Sequence, residues 1–232
     1  MKIAILKTDS VLAKFKNQYG EYPQMLEGLL SAVHSEIQFE TFDVVEGQYP
    51  FAADHFDGYF IMGSKASVYD SDSWITQLGK YVQELHADQK KLVGICFGHQ
   101  LLANVLGGST QKSDKGWGVG VHKSRLIQAQ SWMGRQAQDF SLLVSHQDQV
   151  VQLPPGAVHI AGSDFCQYSM FSIDEHVLGL QGHPEFSGAY AQALMGHRRE
   201  SLGESTYSKG VASLAQSTQE KRVAQWMISF LA

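Results

Sequence analysis

Cys96 lies in a pattern that is typical of a nucleophilic cysteine. Gly94 and Gly98 flank it as G-x-C-x-G, a short apolar run precedes the motif, and apolar residues at helical spacing follow it. The pattern predicts a nucleophile elbow, in which a strand turns sharply into a helix and presents one reactive side chain at the corner. Such a corner forces an unusual backbone conformation on Cys96 and leaves no room for side chains at the two glycines. The helix N-terminus favours the thiolate, and an inert, buried cysteine in a glycine-rich junction is the alternative.

His183 is the candidate base for this nucleophile, since a cysteine nucleophile needs one group to take its proton and another to orient that group. His183 follows a short apolar run and precedes Pro184 and Glu185. Because proline makes the turn rigid, the Glu185 carboxylate can double back and stabilise the imidazolium that forms opposite a thiolate. On its own, a His-Pro-Glu segment is more typical of a surface turn. His146 is the competing base, but it has no adjacent carboxylate in a fixed turn.

Four other residues that could do chemistry are assigned structural roles. His99 is next to the elbow, one residue along the helix from Gln100, so we expect it to pack in the core or behind the site. Cys166 is expected to be an inert strand residue. Asp148 is expected to cap its own loop, and Trp117, between two glycines, to be a packing anchor near the site.

The chain of 232 residues is long enough for a sizeable core, and residues 1–232 are predicted to form one domain. Its net charge of −5 argues against a nucleic-acid partner. Neither of the two cysteines belongs to a C-x-x-C pair, so a disulfide framework or a zinc cage is not expected. The N-terminal apolar stretch is too short for a signal peptide, and no run approaches membrane-spanning length. A cytoplasmic protein with no membrane association is therefore expected.

Strands and helices alternate in the first half of the sequence. Strands are predicted at 3–6, 37–42, 58–62 and 92–95, of which 3–6 and 92–95 are expected to be buried and 37–42 alternates apolar and polar residues. Helices are predicted to start near Pro23, after a cap at Ser73 and after Cys96. Residues 8–22 and 199–217 are predicted to be loops, and the last two helices to cover 187–198 and 218–231. Short alternating segments dominate 116–127 and 140–180. The predicted fold is α/β: an open, mostly parallel sheet with helices on both faces, in a flavodoxin-like three-layer arrangement, with extra antiparallel strands in the second half.

The segments G-I-C-F-G-H-Q at 94–100 and G-H-P-E at 182–185 together resemble the class I (triad-type) glutamine amidotransferases. They are similar in particular to the glutaminase domain of GMP synthases and its free-standing relatives. Other pieces follow in the family order: Gly63 after the third predicted strand, Gly-Trp at 116–117 and Ser-His-x-Asp-x-Val at 145–150. The resemblance therefore spans nearly the whole chain.

This resemblance implies a reaction and a role for each residue. Cys96 would attack the side-chain amide of glutamine and release ammonia, leaving a γ-glutamyl thioester. His183 would then activate water to hydrolyse the thioester, while Glu185 holds His183. The main-chain N–H groups of Gly63 and Phe97 would form the oxyanion hole. No metal or other cofactor is expected, and the residues expected to bind the substrate are Gln100, His146 and Gln147.

The sequence departs from the family pattern at two places. The family's oxyanion loop usually reads Gly-Gly-Pro, whereas Met62-Gly63-Ser64-Lys65 contains no proline. The loop is therefore expected to be mobile, or to form only with substrate or a partner. Gly182 replaces the bulky residue usual before His-Pro-Glu, which is expected to widen the pocket beside His183 and relax the specificity for free glutamine.

Three functions stay open. A glutamine amidotransferase would pass ammonia to an acceptor or to a synthetase in trans, because no G-x-x-x-x-G-K-[ST] motif occurs and the glutaminase fold uses the whole chain. A γ-glutamyl peptidase would use the same residues with an amine as the leaving group. An inactive glutamine-binding regulatory protein is the third, although the presence of Cys96, His183 and Glu185 together argues against it.

Overall fold

The computed structural model describes residues 1–51, 55–135 and 137–232. The strands are β1 (Lys2–Lys7), β2 (Gln38–Asp43), β3 (Gly58–Ile61), β4 (Leu92–Ile95), β5 (Ser109–Lys112), β6 (Gly118–Leu126), β7 (Phe140–His146), β8 (Asp148–Gln152), β9 (Ala157–Gly162), β10 (Met170–Ile173) and β11 (Val177–Leu180). The helices are α1 (Ala13–Tyr19), α2 (Tyr22–Ser31), α3 (Ser73–Ala87), α4 (Phe97–Val105), α5 (Gly188–His197), α6 (Arg199–Leu202), α7 (Glu204–Ser213) and α8 (Glu220–Leu231). None of the helices in these ranges is long and apolar enough to cross a membrane.

Nine strands of the described ranges form one mixed sheet, in the order β2-β1-β3-β4-β11-β10-β9-β6-β7. The neighbours from β2 to β11 are parallel, and those from β11 to β7 are antiparallel. Strands β5 and β8 form a separate antiparallel pair. The predicted α/β fold, parallel at the start and antiparallel later, is confirmed. Because β4 and β11 are parallel neighbours, the residues that follow both strands meet at one edge of the sheet.

The central parallel strands β1, β3, β4 and β11 are buried, with helices on both faces as predicted, whereas the edge strand β2 is largely exposed. Ile3 and Ile5 of β1 belong to the core under α2 and α8, whereas Ala4 and Leu6 belong to the core under α3 and α4. Successive side chains of a strand point to opposite faces, so a strand with helices on both sides is apolar at every position. This explains the continuous apolar run at the start of the chain.

Two segments predicted as loops contain helices. Helix α1 lies within 8–22, and none of its residues is buried; Phe15 and Tyr19 contact Tyr190 edge-on. Helices α6 and α7 lie within 199–217, and α7 buries only Gly210. The loop predictions are wrong because these helices have no continuous apolar stripe, which is the pattern that marks a helix in a sequence. Their positions depend on contacts with distant parts of the chain.

Candidate active site

Cys96 lies at the corner between β4 and α4. Its backbone has φ 52° and ψ −101°, a strained conformation for a residue that carries a side chain. A Cβ atom at Gly94 would lie 2.4 Å from the main-chain carbon of Gly98, and one at Gly98 would lie 2.1 Å from the Ile61 carbonyl oxygen. The Cys96 N–H donates to the Leu180 carbonyl at 2.8 Å, which fixes the corner to β11. The structure therefore contains the predicted elbow, and close contacts exclude side chains at both glycines.

Gly98→Ala is expected to destabilise the protein by about 3 kcal/mol or more, because the new methyl group would overlap the β3 backbone at Ile61. The matched control is Gly28→Ala in α2, where a Cβ atom would meet nothing within 4 Å. Alanine is the better helix former by roughly 1 kcal/mol, so this control should be neutral or stabilising. Urea unfolding of both variants measures the difference. A Gly98→Ala variant as stable as the wild type would show that the elbow tolerates a side chain.

His183 and Glu185 follow β11 and therefore reach the same edge of the sheet as Cys96. The His183 Nδ1–H donates to Glu185 Oε1 at 2.7 Å, and the imidazole stacks on Phe186 with ring centroids 4.0 Å apart. Both side chains are almost completely buried. Burial alone lowers the pKa of His183, but the negative charges of Glu185 and Cys96 outweigh it and raise that pKa well above its ordinary value. The arrangement favours a protonated His183 between Glu185 and Cys96.

The thiol of Cys96 lies next to the His183 imidazole and helps to raise its pKa. Since Glu185 occupies Nδ1, the Nε2 atom is the ring nitrogen left for the sulfur. A Cβ atom at Gly63 would lie 2.9 Å from His183 Cε1 and 3.6 Å from Cys96 Cβ, so the loop after β3 closes against this pair. The structure thus brings the three predicted catalytic side chains together, in the order that a nucleophile, a base and a group orienting the base would need.

The main-chain N–H groups of Gly63 and Phe97 lie on either side of this junction. Within the described ranges, neither group donates a hydrogen bond to the protein. The Gly98 N–H donates to the Met62 carbonyl at 3.1 Å, which joins the start of α4 to the loop that carries Gly63. Two free N–H groups beside a nucleophile can stabilise a developing oxyanion.

The loop that begins at Gly63 is supported without a proline. The Thr8 hydroxyl donates to the Gly63 carbonyl at 2.9 Å. The Lys65 N–H and ammonium group donate to the two carboxylate oxygens of Asp9 at 3.0 and 3.1 Å. These polar contacts tie both the main chain and the Lys65 side chain of the loop to the segment that follows β1.

Asp148 supports the same loop from the other side of the cleft. Its carboxylate accepts hydrogen bonds from the hydroxyl groups of Ser67 and Tyr69. The prediction that Asp148 caps its own loop is therefore wrong, because its carboxylate reaches a segment that lies about 80 residues earlier in the chain. Only the tertiary structure brings these groups together.

A cavity of 870 Å³ opens from Cys96. All three predicted substrate-binding residues line it: Gln100, His146 and Gln147. The Gln100 side-chain amide donates to the Asp148 carbonyl at 2.8 Å and to Gln181 Oε1 at 3.1 Å. The His146 Nδ1–H donates to the same Asp148 carbonyl at 3.0 Å. These bonds hold Gln100 and His146 in fixed positions on the cavity wall.

A second cavity of 360 Å³ also reaches Cys96, and it is the one that His183 and Glu185 line. Arg198, at the end of α5, and Ser145 line both cavities. The sequence analysis missed Arg198. It stands beside a second arginine in a polar stretch, and only the packing of α5 brings it to the site.

Gly182 lines neither of these two cavities. A Cβ atom there would lie 3.0 Å from the Leu142 side chain, on the side of a separate internal cavity that His146 and Cys166 also line. The expectation that Gly182 widens the pocket beside His183 is therefore wrong. Successive residues of an extended segment point to opposite sides, so the space at Gly182 does not open toward the face that His183 occupies.

Three other titratable residues near the site are held uncharged by burial. Burial lowers the pKa of His146 and that of His99 to about 3. The His99 ring packs against Phe171, and the carbonyls of Tyr168 and Gly179 lie near its nitrogens without aligned hydrogen bonds. Burial raises the pKa of the Cys166 thiol to about 12. His99 therefore has the predicted place in the core, and Cys166 is held as a neutral thiol.

Residues 17–195 match the family model described as glutamine amidotransferase class-I. The chain belongs to this family. The resemblance found in the sequence is thus confirmed. The two motifs that carry the resemblance, at 94–100 and 182–185, lie at the ends of β4 and β11, which meet at the site. In the described part of the chain, no cluster of three or more His, Cys, Asp or Glu side chains could hold a metal ion.

Relatives of this chain are named after different activities. Gamma-glutamyl peptidase 5 of Arabidopsis thaliana is 34% identical over 157 residues, which cover 65% of this chain and 62% of the peptidase. Gamma-glutamyl peptidase 2 of the same plant is 33% identical over 178 residues, or 74% of this chain and 71% of the peptidase. The glutamine-hydrolysing GMP synthase subunit of Archaeoglobus fulgidus is 34% identical over 106 residues, or 45% of this chain and 56% of that protein.

The fold of this chain is shared with solved structures. A glutamine amidotransferase from Thermotoga maritima superposes with a TM-score of 0.77 at 16% sequence identity, covering 99% of this chain and 95% of that one. At this identity the comparison establishes the common α/β fold with its mixed sheet.

Proposed function

We propose that this chain hydrolyses γ-glutamyl amide bonds through Cys96 and that its preferred substrates are γ-glutamyl peptides rather than free glutamine. The observation that carries the proposal is that the space around Cys96 extends to two sides, one lined by His183 and Glu185 and the other by Gln100, His146 and Gln147, with Ser145 and Arg198 common to both. The two halves of a γ-glutamyl peptide, the acyl group and the amine, need separate spaces on the two sides of the bond that breaks.

We assign a half of the substrate to each cavity from the position of His183. The base that takes the thiol proton must later give a proton to the departing amine, so the amine leaves on the side of His183. The 360 Å³ cavity then holds the leaving group, and the 870 Å³ cavity holds the γ-glutamyl group against Gln100, His146 and Gln147. Free glutamine releases only ammonia, which is too small to fill the cavity that His183 lines.

The first half of the reaction forms a thioester. The Cys96 sulfur attacks the γ-carbonyl carbon, and the carbonyl oxygen becomes an oxyanion that accepts hydrogen bonds from the N–H groups of Gly63 and Phe97. His183, which holds a proton on Nε2, donates it to the amide nitrogen. The carbon–nitrogen bond then breaks, the amine departs, and the γ-glutamyl group remains on the sulfur.

The second half reverses these roles with water. His183 Nε2 takes a proton from water as the oxygen attacks the thioester carbon, and the same N–H groups stabilise the second oxyanion. The carbon–sulfur bond breaks, which releases glutamate and restores the thiolate beside the imidazolium. Glu185 keeps Nδ1 protonated through both halves and stabilises the positive charge on the ring.

The relatives named gamma-glutamyl peptidase support this substrate class, since they match 65% and 74% of this chain. The contacts that hold the oxyanion loop support it as well, because a peptidase has to work without a partner that orders the loop.

A second candidate is a glutaminase that supplies ammonia to a synthetase in trans. The GMP synthase subunit of Archaeoglobus fulgidus, which matches 45% of this chain, favours it. In this case glutamine would be hydrolysed slowly by the free chain and faster once the partner binds. The third alternative, an inactive glutamine-binding regulator, is disfavoured by the hydrogen-bonded Cys96, His183 and Glu185.

The purified chain is expected to hydrolyse γ-glutamylalanine with a kcat/KM roughly 10- to 100-fold above that for glutamine, because the alanine fills the leaving-group cavity in the transition state. Glutamate release is measured with both substrates. The isomer with an α-glutamyl bond is the substrate control, and the Cys96→Ala variant reports any contaminating hydrolase.

A preference for glutamine over γ-glutamyl dipeptides would contradict the peptidase proposal and favour the glutaminase. Binding of glutamine with no hydrolysis of any substrate would favour the regulatory protein.

A further inference from the structure

Arg198 is the one cationic side chain that lines both cavities and has no carboxylate partner in the described ranges. Its Nη1 atom donates to the Ser145 hydroxyl at 2.9 Å, and its guanidinium lies 5.5 Å from the centre of the Trp117 ring. These two contacts fix the orientation of the group but leave most of its five N–H donors available. A guanidinium held in this way is ready to bind a planar anion.

The charged groups around Arg198 are otherwise paired. Asp9 and Lys65, which line the smaller cavity, form an ion pair at 3.1 Å. Glu185 binds His183, and Asp148 accepts from two hydroxyl groups. Lys112 lines only the larger cavity. Arg198 is therefore the unsatisfied positive charge of the smaller cavity.

The guanidinium is also close to the wall of the smaller cavity that Tyr22 forms. Burial raises the pKa of Tyr22 and that of Tyr190, and the charge of Arg198 opposes both shifts. The hydroxyl groups of these two tyrosines lie 2.8 Å apart and are buried in part. A positive charge next to a tyrosine pair and a catalytic imidazole favours an anion in the same cavity when a substrate is bound.

Resting on the proposed function, we infer that Arg198 binds the α-carboxylate of the amino acid that leaves, so that the preferred substrates are γ-glutamyl amino acids with a free carboxylate next to the scissile bond. In such a substrate a single carbon atom separates the amide nitrogen from the carboxylate. When His183 protonates the nitrogen in the smaller cavity, the carboxylate lies in the cavity that Arg198 lines. Arg198 is then a residue that determines specificity, and it takes no part in the bond changes.

The test compares γ-glutamylalanine with γ-glutamylalaninamide, which has nearly the same shape and no carboxylate charge. In the wild-type enzyme kcat/KM for the acid is expected to exceed that for the amide by about 10- to 100-fold, the range of one charge-assisted hydrogen-bonding pair. Arg198→Gln should bring this ratio close to 1, and Arg198→Lys should give an intermediate ratio. Arg199→Gln is the matched control, because Arg199 is exposed and pairs with Glu204; it should keep the wild-type ratio.

A ratio is the appropriate readout because a structural disturbance would lower both rates and leave their quotient unchanged. An unchanged ratio in Arg198→Gln would overturn the inference while the peptidase proposal stands. Equal losses on the acid, the amide and glutamine would also overturn it, since Arg198 would then bind the γ-glutamyl half.

A binding measurement separates this inference from the proposed function. The Cys96→Ala chain is titrated by calorimetry with the acid and with the amide, and the acid is expected to bind about 10-fold or more tightly. If the wild type hydrolyses glutamine but no γ-glutamyl peptide, the peptidase proposal fails. Equal affinities for the acid and the amide in this titration would reject the role of Arg198. Tighter binding of the acid by Cys96→Ala, lost when Arg198→Gln is added to that variant, would support the role of Arg198 even if the peptidase proposal failed.

Discussion

The Cys96→Ser variant is expected to lose measurable γ-glutamyl hydrolysis, a fall in kcat/KM on the order of 10⁴-fold or more. The hydroxyl of serine is a far weaker acid than a thiol, so His183 cannot hold it as an anion. The elbow also places Cys96 against the loop after β3, where a Cβ atom at Gly63 would lie 3.6 Å from Cys96 Cβ. Steady-state glutamate release from γ-glutamylalanine and from glutamine measures the loss.

The same experiment has a chemical counterpart. A diazo-ketone analogue of glutamine should label Cys96 and leave Cys166 unmodified, which peptide mass spectrometry can establish. Cys166 is the matched control, because it is as buried as Cys96 but burial raises its pKa to about 12 and it has no imidazole partner among the described residues. Cys166→Ser should keep full activity. Labelling at Cys166, or an active Cys96→Ser variant, would refute the assignment of the nucleophile.

His183→Asn is expected to reduce hydrolysis by a factor on the order of 10⁴ to 10⁶, because both halves of the reaction need its proton. Glu185→Gln should be about 100-fold less damaging, since a neutral amide oxygen can still accept the hydrogen bond at 2.7 Å. It cannot, however, stabilise the charge on the ring. The matched control is His176→Asn, at the opposite end of β11, where the histidine stacks on His86.

The effect of Glu185 can be followed without turnover. Burial lowers the pKa of His183 and the charge of Glu185 raises it, so Glu185→Gln removes the stabilising charge and leaves the burial. In the wild type the imidazolium should persist above neutral pH, and in Glu185→Gln it should lose its proton at a lower pH. Nuclear magnetic resonance of labelled histidine detects this change. An unchanged titration, or activity close to wild type in His183→Asn, would redirect the search for the base to His146.

The parallel half of the fold was predictable because its rules are local. Strand β1 is apolar at every position since helices cover both faces, and the run at 3–6 displays this directly. Helices α1 and α7 were not predictable. The first buries none of its residues and the second only Gly210, so neither has the apolar stripe that distinguishes a helix from a polar loop.

The sequence by itself determined the groups whose geometry depends on near neighbours. Cys96 between Gly94 and Gly98 specified the elbow, because the glycines are needed for contacts within the turn and with the strand beside it. His183 and Glu185 are two positions apart, so one rigid turn is enough to join them. The family resemblance rested on the same short segments.

Only the tertiary structure decided which distant groups surround this centre. It placed the carboxylate of Asp148 on the oxyanion loop and directed the space at Gly182 away from His183. It also carried Arg198 to the junction of the two cavities through the packing of α5. A sequence pattern reports which face of a strand or helix is apolar, but it does not report which elements meet at an edge of the sheet. Those meetings depend on the packing of the whole chain, and they define the walls of the site.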